Sequence, residues 1–168
     1  MLATELGYVL STGERGSLRS LYKDKPLVLV FLRHLGCLFC REHVAALREQ
    51  RDWNVAFVTM ASVEETAKFR EQMASPHLFI ADSTQDLYHA FGLGRGNFGQ
   101  MFNLHTLRRG LEATRAGHKS SRPVGDPWVL GGTFIIGTDG ELAWSQLSHD
   151  ASDNATVVQI AEHLALAH

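Results

Sequence analysis

Cysteine is nearly absent from this 168-residue chain: there are two in all, and both fall in one four-residue window, Cys37-Leu38-Phe39-Cys40. A fold held together by a disulfide framework is thereby excluded. An excess of charge of one sign is lacking too. Sixteen Lys and Arg against eighteen Asp and Glu leave −2, so nothing marks the whole chain as a binder of nucleic acid or of an anionic membrane. The longest apolar run, residues 26–32, is far short of the ~20 residues a membrane span needs. Residues 1–16 contain Glu5 and no basic-then-apolar pattern, which is not how a secretory signal reads. There is no internal repeat, no low-complexity tract and no Pro/Ser-rich linker, so one domain over residues 1–168 is expected. A hydrophobic fraction of 45% gives that domain a substantial core. A cytoplasmic protein is expected, and in a reducing cytosol paired thiols at this spacing serve chemistry or metal ligation more often than structure.

The pattern of elements is α/β. Residues 26–33 form a continuous apolar, β-branched run that suits a strand buried on both faces. From 37 to 50 the apolar positions Cys40, Val44 and Leu47 recur at helical spacing, and a strand over 54–60 follows, giving a βαβ unit with a parallel pair. Ser62 and Glu65 make a capping box for a helix to about Ala74, stopped by Ser75-Pro76. A short strand over 77–81 leads to a helix capped by Asp82 or Ser83, with Leu87, Ala90 and Phe91 on one face and Gly92 at its end. Residues 133–137, the Asp139-Gly140 turn and residues 141–147 predict a β-hairpin. Asp153 is expected to cap a last helix over 154–167, with Val157, Ile160, Ala161 and Leu164 inward.

An insertion, about residues 94–125, interrupts this order. Gly92, Gly94, Gly96 and Gly99 precede a predicted helix over 100–116, with Met101, Leu104, Leu107 and Leu111 on one face. Six basic residues here (Arg95, Arg108, Arg109, Arg115, Lys119 and Arg122) face one acid, Glu112, a net +5 that leaves −7 for the rest. Two roles are open. The segment is a rim or cover that steers anionic substrates to the thiols, or its leucines pack on the body or on a second subunit and its arginines are simply solvated.

The Cys pair sits where a buried strand gives way to a helix. At the helix N-terminus Cys37 meets unpaired N–H groups and the positive end of the dipole, so its pKa is expected below the ordinary ~8.5. That makes Cys37 the candidate attacking thiol. Cys40, one turn along and deeper, is the candidate resolving thiol. Arg33, His34 and Arg41 bring positive charge to the same place and are candidate thiolate-stabilising residues.

Two other readings compete. The cysteines could be small buried hydrophobes. Alternatively His34, Cys37, Cys40 and His43 have the ligand types of a zinc site, and a pair from each of two chains could hold an iron–sulfur cluster in a non-catalytic module. Three-residue steps on a helix rotate by about −60° each, so these four ligands diverge, and no metal or other cofactor is expected, with His43 an ordinary surface residue of the helix. Gly94-Arg-Gly96-Asn-Phe-Gly99 matches a dinucleotide fingerprint in letters only, because it follows a helix rather than the first strand of a βαβ unit. Ser148-His149-Asp150 cannot converge as a triad from three consecutive extended positions.

With these elements in place, the chain resembles the thioredoxin superfamily, and within it the peroxiredoxin-like, Cys-x-x-Cys branch of the alkyl hydroperoxide reductase/thiol-specific antioxidant (AhpC/TSA) family. The likeness rests on residues 16–42 with Arg33-His34-x-Gly36-Cys37-x-x-Cys40-Arg41, on residues 80–93, and on the segment 131–137 with its Asp-Gly turn. It implies a thioredoxin-like fold, a mixed central sheet flanked by helices with the basic helical insertion ahead of the C-terminal hairpin. The implied activity is that of a thiol-dependent oxidoreductase, a disulfide reductase or peroxidase, acting on a small peroxide or disulfide. The resemblance also implies an external thiol reductant such as a thioredoxin or glutathione, with a homodimer possible and neither nucleic acid nor membrane as partner. It places Gly132 and Thr133 opposite the Cys pair. Three positions depart from the pattern: His34 stands where a Thr is usual, Val30 where a Pro is usual, and Gly131-Gly132 where an Arg or a cis-proline is usual. A dithiol mechanism depends on none of them.

Overall fold

The computed structural model describes residues 6–95, 104–118 and 125–168, with backbone alone at 104–107. Its strands are β1 (Gly7–Val9), β2 (Arg15–Ser17), β3 (Leu27–Phe31), β4 (Val55–Thr59), β5 (Leu78–Ala81), β6 (Gly132–Ile136) and β7 (Leu142–Leu147). The helices are α1 (Arg19–Tyr22), α2 (Leu38–Arg48), α3 (Val63–Met73), α4 (Asp86–Ala90), α5 (Leu104–Arg115) and α6 (Val157–Leu164). Five strands form a mixed sheet in the order β5-β4-β3-β6-β7, with β3, β4 and β5 parallel and β6 and β7 antiparallel. The α/β expectation holds. Among the described residues no helix is long and apolar enough to cross a membrane.

The period of two along β3 splits the core. Val28, Val30 and Leu32 enter one cluster with Cys37, Cys40, Val44 and Leu47 of the α2 segment, Phe69 of α3 and Ile160 of α6. Leu27, Leu29 and Phe31 enter the other with Tyr8, Leu18, Tyr22, Leu87 and Tyr88. All five residues of β3 are buried, which agrees with an apolar run lacking any polar alternation. The central strand therefore delivers the thiol loop from the most constrained part of the molecule.

Local signals held where the chemistry was local. Ser62 and Glu65 form the capping box of α3, and Ala74 ends it in the left-handed region. Gly140 turns the β6–β7 hairpin with φ of +85°. Asp82 does cap α4, though from four positions ahead: its carboxylate accepts the N–H groups of Asp86, Leu87 and Tyr88 at 3.1, 2.9 and 3.3 Å. The face α4 buries is Leu87 and Tyr88, while Ala90 is exposed. At the C-terminus Thr156 caps α6, in a capping box with Gln159, and Asp153 does not. The Asp153 carboxylate is occupied by the Gln146 amide and the His149 N–H, 3.1 and 2.9 Å away. Val157 and Leu164 pack against the first cluster beside Ile160, as expected.

The insertion is pinched at its neck. The Leu130 N–H donates to the Gly94 carbonyl at 3.1 Å, and Arg95 pairs with Asp126 at 3.4 Å. Gly96, Gly99, Lys119, Arg122 and the predicted first turn over 100–103 lie outside the described residues, as do the side chains of Leu104 and Leu107. Helix α5 lies across α2: Gly110 faces the Phe39 ring, and Arg109 bridges Glu42 at 2.8 Å and Glu112 at 2.7 Å. The expected leucine stripe is not what meets the body at its described end, since Leu111 is 57% exposed and Ala113 is buried instead.

Candidate active site

The site is built where β3 ends and α2 begins. Cys37 is the N-cap residue of α2, and its N–H donates to the His34 carbonyl at 3.0 Å, closing the connecting loop into a turn. Cys40 follows one turn later and is fully enclosed. Both thiols are free.

Arg33 serves both sulfurs. Its backbone N–H donates to Cys40 Sγ at 3.2 Å, and its guanidinium Nη1 donates to Cys37 Sγ at 3.1 Å. The second guanidinium nitrogen donates to the Pro127 carbonyl at 2.6 Å, which fixes the fork against the exit of the insertion. Arg33 is itself buried, so its charge acts through a medium that screens it poorly.

The two thiols are driven apart in acidity. The Cys40 thiol donates to Cys37, and this, with the Arg33 charge and the Phe39 and Cys40 N–H groups at the open helix end, brings Cys37 down to about 6 against its burial. Burial pushes Cys40 well up, and its role as donor to Cys37 pushes the same way. At neutral pH the pair therefore shares one proton, held on Cys40. Removing the guanidinium isolates its share. In Arg33→Met the midpoint of Cys37 ionisation should rise by about one unit or more, read from the pH dependence of iodoacetamide alkylation; an unmoved midpoint would deny Arg33 that role.

The remaining expected residues are placed as follows. His34 is buried, its Nδ1 has no partner among the described residues, and burial together with Arg33 lowers its pKa to about 4, so it is neutral rather than a source of positive charge. The Arg41 guanidinium lies over the Phe69 ring, 5.2 Å from its centroid. Gly132 and Thr133 pair with Phe31 and Val30 on the neighbouring strand β6, and a β-carbon on Gly131 would run into the Phe31 carbonyl. His43 is not a surface residue. It is buried, and a hydrogen bond to the Ala155 backbone opposes the burial that lowers its pKa to about 4. Among the described residues no three His, Cys, Asp or Glu side chains stand together as a metal site would require.

Two contributors were not foreseen. Tyr88 donates its hydroxyl to the Leu32 and Val58 carbonyls, and so ties the ends of β3 and β4 together immediately before Arg33. Pro127 anchors the guanidinium. Nothing near either residue in the sequence signals this, because the partners are 56 and 94 positions away.

Residues 42–150 match the family model described as AhpC/TSA antioxidant enzyme. The chain belongs to that family. The match begins just after the Cys pair, and the family is one of thiol-dependent peroxidases and oxidoreductases with a thioredoxin-like fold. Among curated relatives, "Peroxiredoxin-like 2C" of Homo sapiens is 21% identical over 179 residues, covering 98% of this chain and 79% of that protein. "Thioredoxin-like protein AAED1, chloroplastic" of Arabidopsis thaliana is 24% identical over 163 residues, covering 88% and 65%. Among solved structures, the peroxidoxin BcpB of Mycobacterium tuberculosis superposes with a TM-score of 0.65 at 18% identity, covering 95% of this chain and 89% of that one. A peroxiredoxin Q of Xanthomonas campestris gives 0.64 at 18%, covering 98% and 92%. These structures share the family's fold at low identity.

Proposed function

We infer that the protein reduces O–O or S–S bonds with the Cys37–Cys40 dithiol, Cys37 attacking and Cys40 resolving. The observation that carries this is the double use of Arg33, which stabilises a thiolate at Cys37 while its backbone N–H holds the Cys40 sulfur one turn away. With a hydroperoxide, the Cys37 thiolate attacks the distal oxygen and breaks the O–O bond. The alkoxide leaves and takes up a proton, and Cys37 becomes a sulfenic acid. Cys40, deprotonated as it attacks, closes the disulfide by displacing hydroxide from that sulfenic acid, and the hydroxide takes up the proton and leaves as water. With a disulfide substrate, Cys37 forms the mixed disulfide and Cys40 expels the second thiol. An external thiol reductant, a thioredoxin or a small thiol, then restores the pair.

The family's usual arginine ahead of β6 is replaced here by Gly131 and Gly132. Arg33 approaches the same sulfur from β3, and a guanidinium in that place can meet the charge that develops on the leaving oxygen. This supports peroxide as a substrate despite the departures in sequence. The setting proposed is cytosolic, where a thiol reductant is at hand.

The test is stoichiometric. One equivalent of hydrogen peroxide added to the reduced protein should remove two mass units and both free thiols, with the Cys37–Cys40 link found on peptide mapping. Addition of a thiol reductant should restore the mass and sustain turnover. Persistence of both thiols against peroxide and against a small aromatic disulfide would overturn the assignment.

A further inference from the structure

The strand that delivers the thiols is closed at its end by a phenol. Where β3 leaves β4 the Leu32 N–H donates to the Val58 carbonyl at 2.9 Å, and the next acceptor, the Leu32 carbonyl, takes the Tyr88 hydroxyl at 2.5 Å. The same hydroxyl lies 2.9 Å from the Val58 carbonyl, which the Leu32 N–H already serves, so its single proton belongs chiefly to Leu32. Tyr88 is held in place from three sides. Its side chain is fully buried, its ring stands edge-on to Phe31 with centroids 5.0 Å apart, and its own N–H donates to the Asp82 carboxylate that caps α4. Burial foremost, with the charges at Cys40 and Asp82, raises its pKa well above the ordinary phenol range, so the hydroxyl stays a donor.

The carbonyl that Tyr88 grips belongs to the same peptide group as the Arg33 N–H, and that N–H donates to Cys40 Sγ at 3.2 Å. Because a trans peptide group is planar and its C=O and N–H point in opposite directions, fixing the oxygen fixes the direction of the hydrogen. A continuous chain results: phenol to carbonyl, N–H to Cys40 Sγ, and the Cys40 thiol to Cys37. Each bond polarises the next where no water screens it. The link that matters is the one at Cys40. Burial and the neighbouring Cys37 hold its proton on, and what opposes them is the Arg33 charge and this N–H.

We propose that Tyr88 is a positioning residue for the resolving thiol: its hydroxyl aligns and polarises the Leu32–Arg33 peptide group, so that the Arg33 N–H meets the charge gathering on Cys40 Sγ as the disulfide closes. This rests on the dithiol chemistry proposed above and adds to it a residue of the opposite core layer. In the closing step the Cys40 S–H bond and the S–O bond of the Cys37 sulfenic acid break, the S–S bond forms, and the proton and the hydroxide leave together as water. Tyr88 keeps its own proton throughout. It acts on this second step and not on the first, since well above its pKa of about 6 Cys37 attacks as a thiolate already formed.

Two measurements test this, one of them without turnover. In the reduced protein the Arg33 amide proton, read by NMR, should move upfield in Tyr88→Phe, which keeps the ring and loses the donor. It should move downfield when 3-fluorotyrosine, whose more acidic hydroxyl donates more strongly, replaces Tyr88. In rapid quench with hydrogen peroxide at pH 8, followed by mass spectrometry, Tyr88→Phe should slow disulfide closure about fivefold, the worth of one hydrogen bond, and leave formation of the sulfenic acid unchanged. The fluorinated protein should close faster than the unaltered one, and it carries the test alone should Tyr88→Phe not fold. An Arg33 amide that is unmoved, or moved the same way by both replacements, overturns the positioning role whatever the chemistry. Equal slowing of both steps, which a merely loosened fold produces, overturns it as well. An unaltered protein that forms no disulfide counts against the dithiol reading, and the amide shift then still decides whether Tyr88 governs this donor.

Discussion

Cys37→Ser loses all measurable turnover and traps no partner, while Cys40→Ser reacts once and stops, holding a sulfenic acid or a mixed disulfide on Cys37. The asymmetry follows from the direction of the hydrogen bond inside the pair. Cys40 donates to Cys37, and this contact is the foremost reason the Cys37 thiol is acidic. A serine hydroxyl at position 40 still donates to Cys37 and can still accept the Arg33 N–H, so Cys40→Ser keeps a reactive thiolate. Alanine offers no such donor. In Cys40→Ala the midpoint of Cys37 ionisation should therefore climb above that of Cys40→Ser, and the first reaction should slow at pH 6.5. Mass spectrometry after one equivalent of peroxide, in the presence of a partner thiol, distinguishes the variants. Equal trapping by Cys37→Ser and Cys40→Ser would exchange or dissolve the two roles.

The second large effect is on stability. His34 and His43 stay neutral in the folded protein down to about 4, whereas in the unfolded chain each takes up a proton near 6.5. Between these values the unfolded state binds more protons, so stability falls as pH falls. At about 1.4 kcal/mol per unit of pKa difference the loss approaches roughly 3 kcal/mol per histidine. His77, also lowered by burial, adds to it. Asp82 works the other way, because burial raises its pKa and acidification then favours the fold. Cys37 reinforces the main trend from above: its stabilising thiolate is lost as pH drops through about 6. Urea midpoints of the reduced protein should fall clearly from pH 7.5 to pH 5, and His43→Leu should flatten the profile. A wild-type midpoint that stays level across that interval would show that these imidazoles are solvated.

Much of this arrangement is written in short-range pattern. The apolar run of β3, the Ser62–Glu65 box and the Asp139-Gly140 turn each depend on neighbours within a few residues, and each formed as read. The burial of His43 was legible too, since it stands three residues after Cys40 and four before Leu47, on the stripe that packs inward. Thr156 and Gln159 spell a capping box as clearly as Ser62 and Glu65 do. Asp153, three residues earlier, has the right side chain for a cap but is held by Gln146 and His149, a competition that no local pattern reveals. For the candidate site, position gave the acidic and the enclosed cysteine, and Arg33 as a nearby charge. What it did not give is that one arginine reaches both sulfurs and Pro127, or that α5 meets α2 through Arg109 and Gly110 while Leu111 is exposed. These depend on chain segments far apart in sequence coming together.

Tyr88 belongs to the core layer that does not contain the thiols, yet its hydroxyl closes on the carbonyls at the ends of β3 and β4, and Cys40 is near enough to affect its acidity. Elsewhere the five-stranded sheet stands between the two layers. The far layer, made of the N-terminal hairpin, α1 and α4, thus has a path to the sulfurs that runs through this phenol. Substitutions there divide into two kinds: those that only alter how firmly the protein folds, and those that tilt the last residues of β3 and retune the thiol with them. The sheet separates the layer that holds the thiols from the one that does not, and Tyr88 reaches across it.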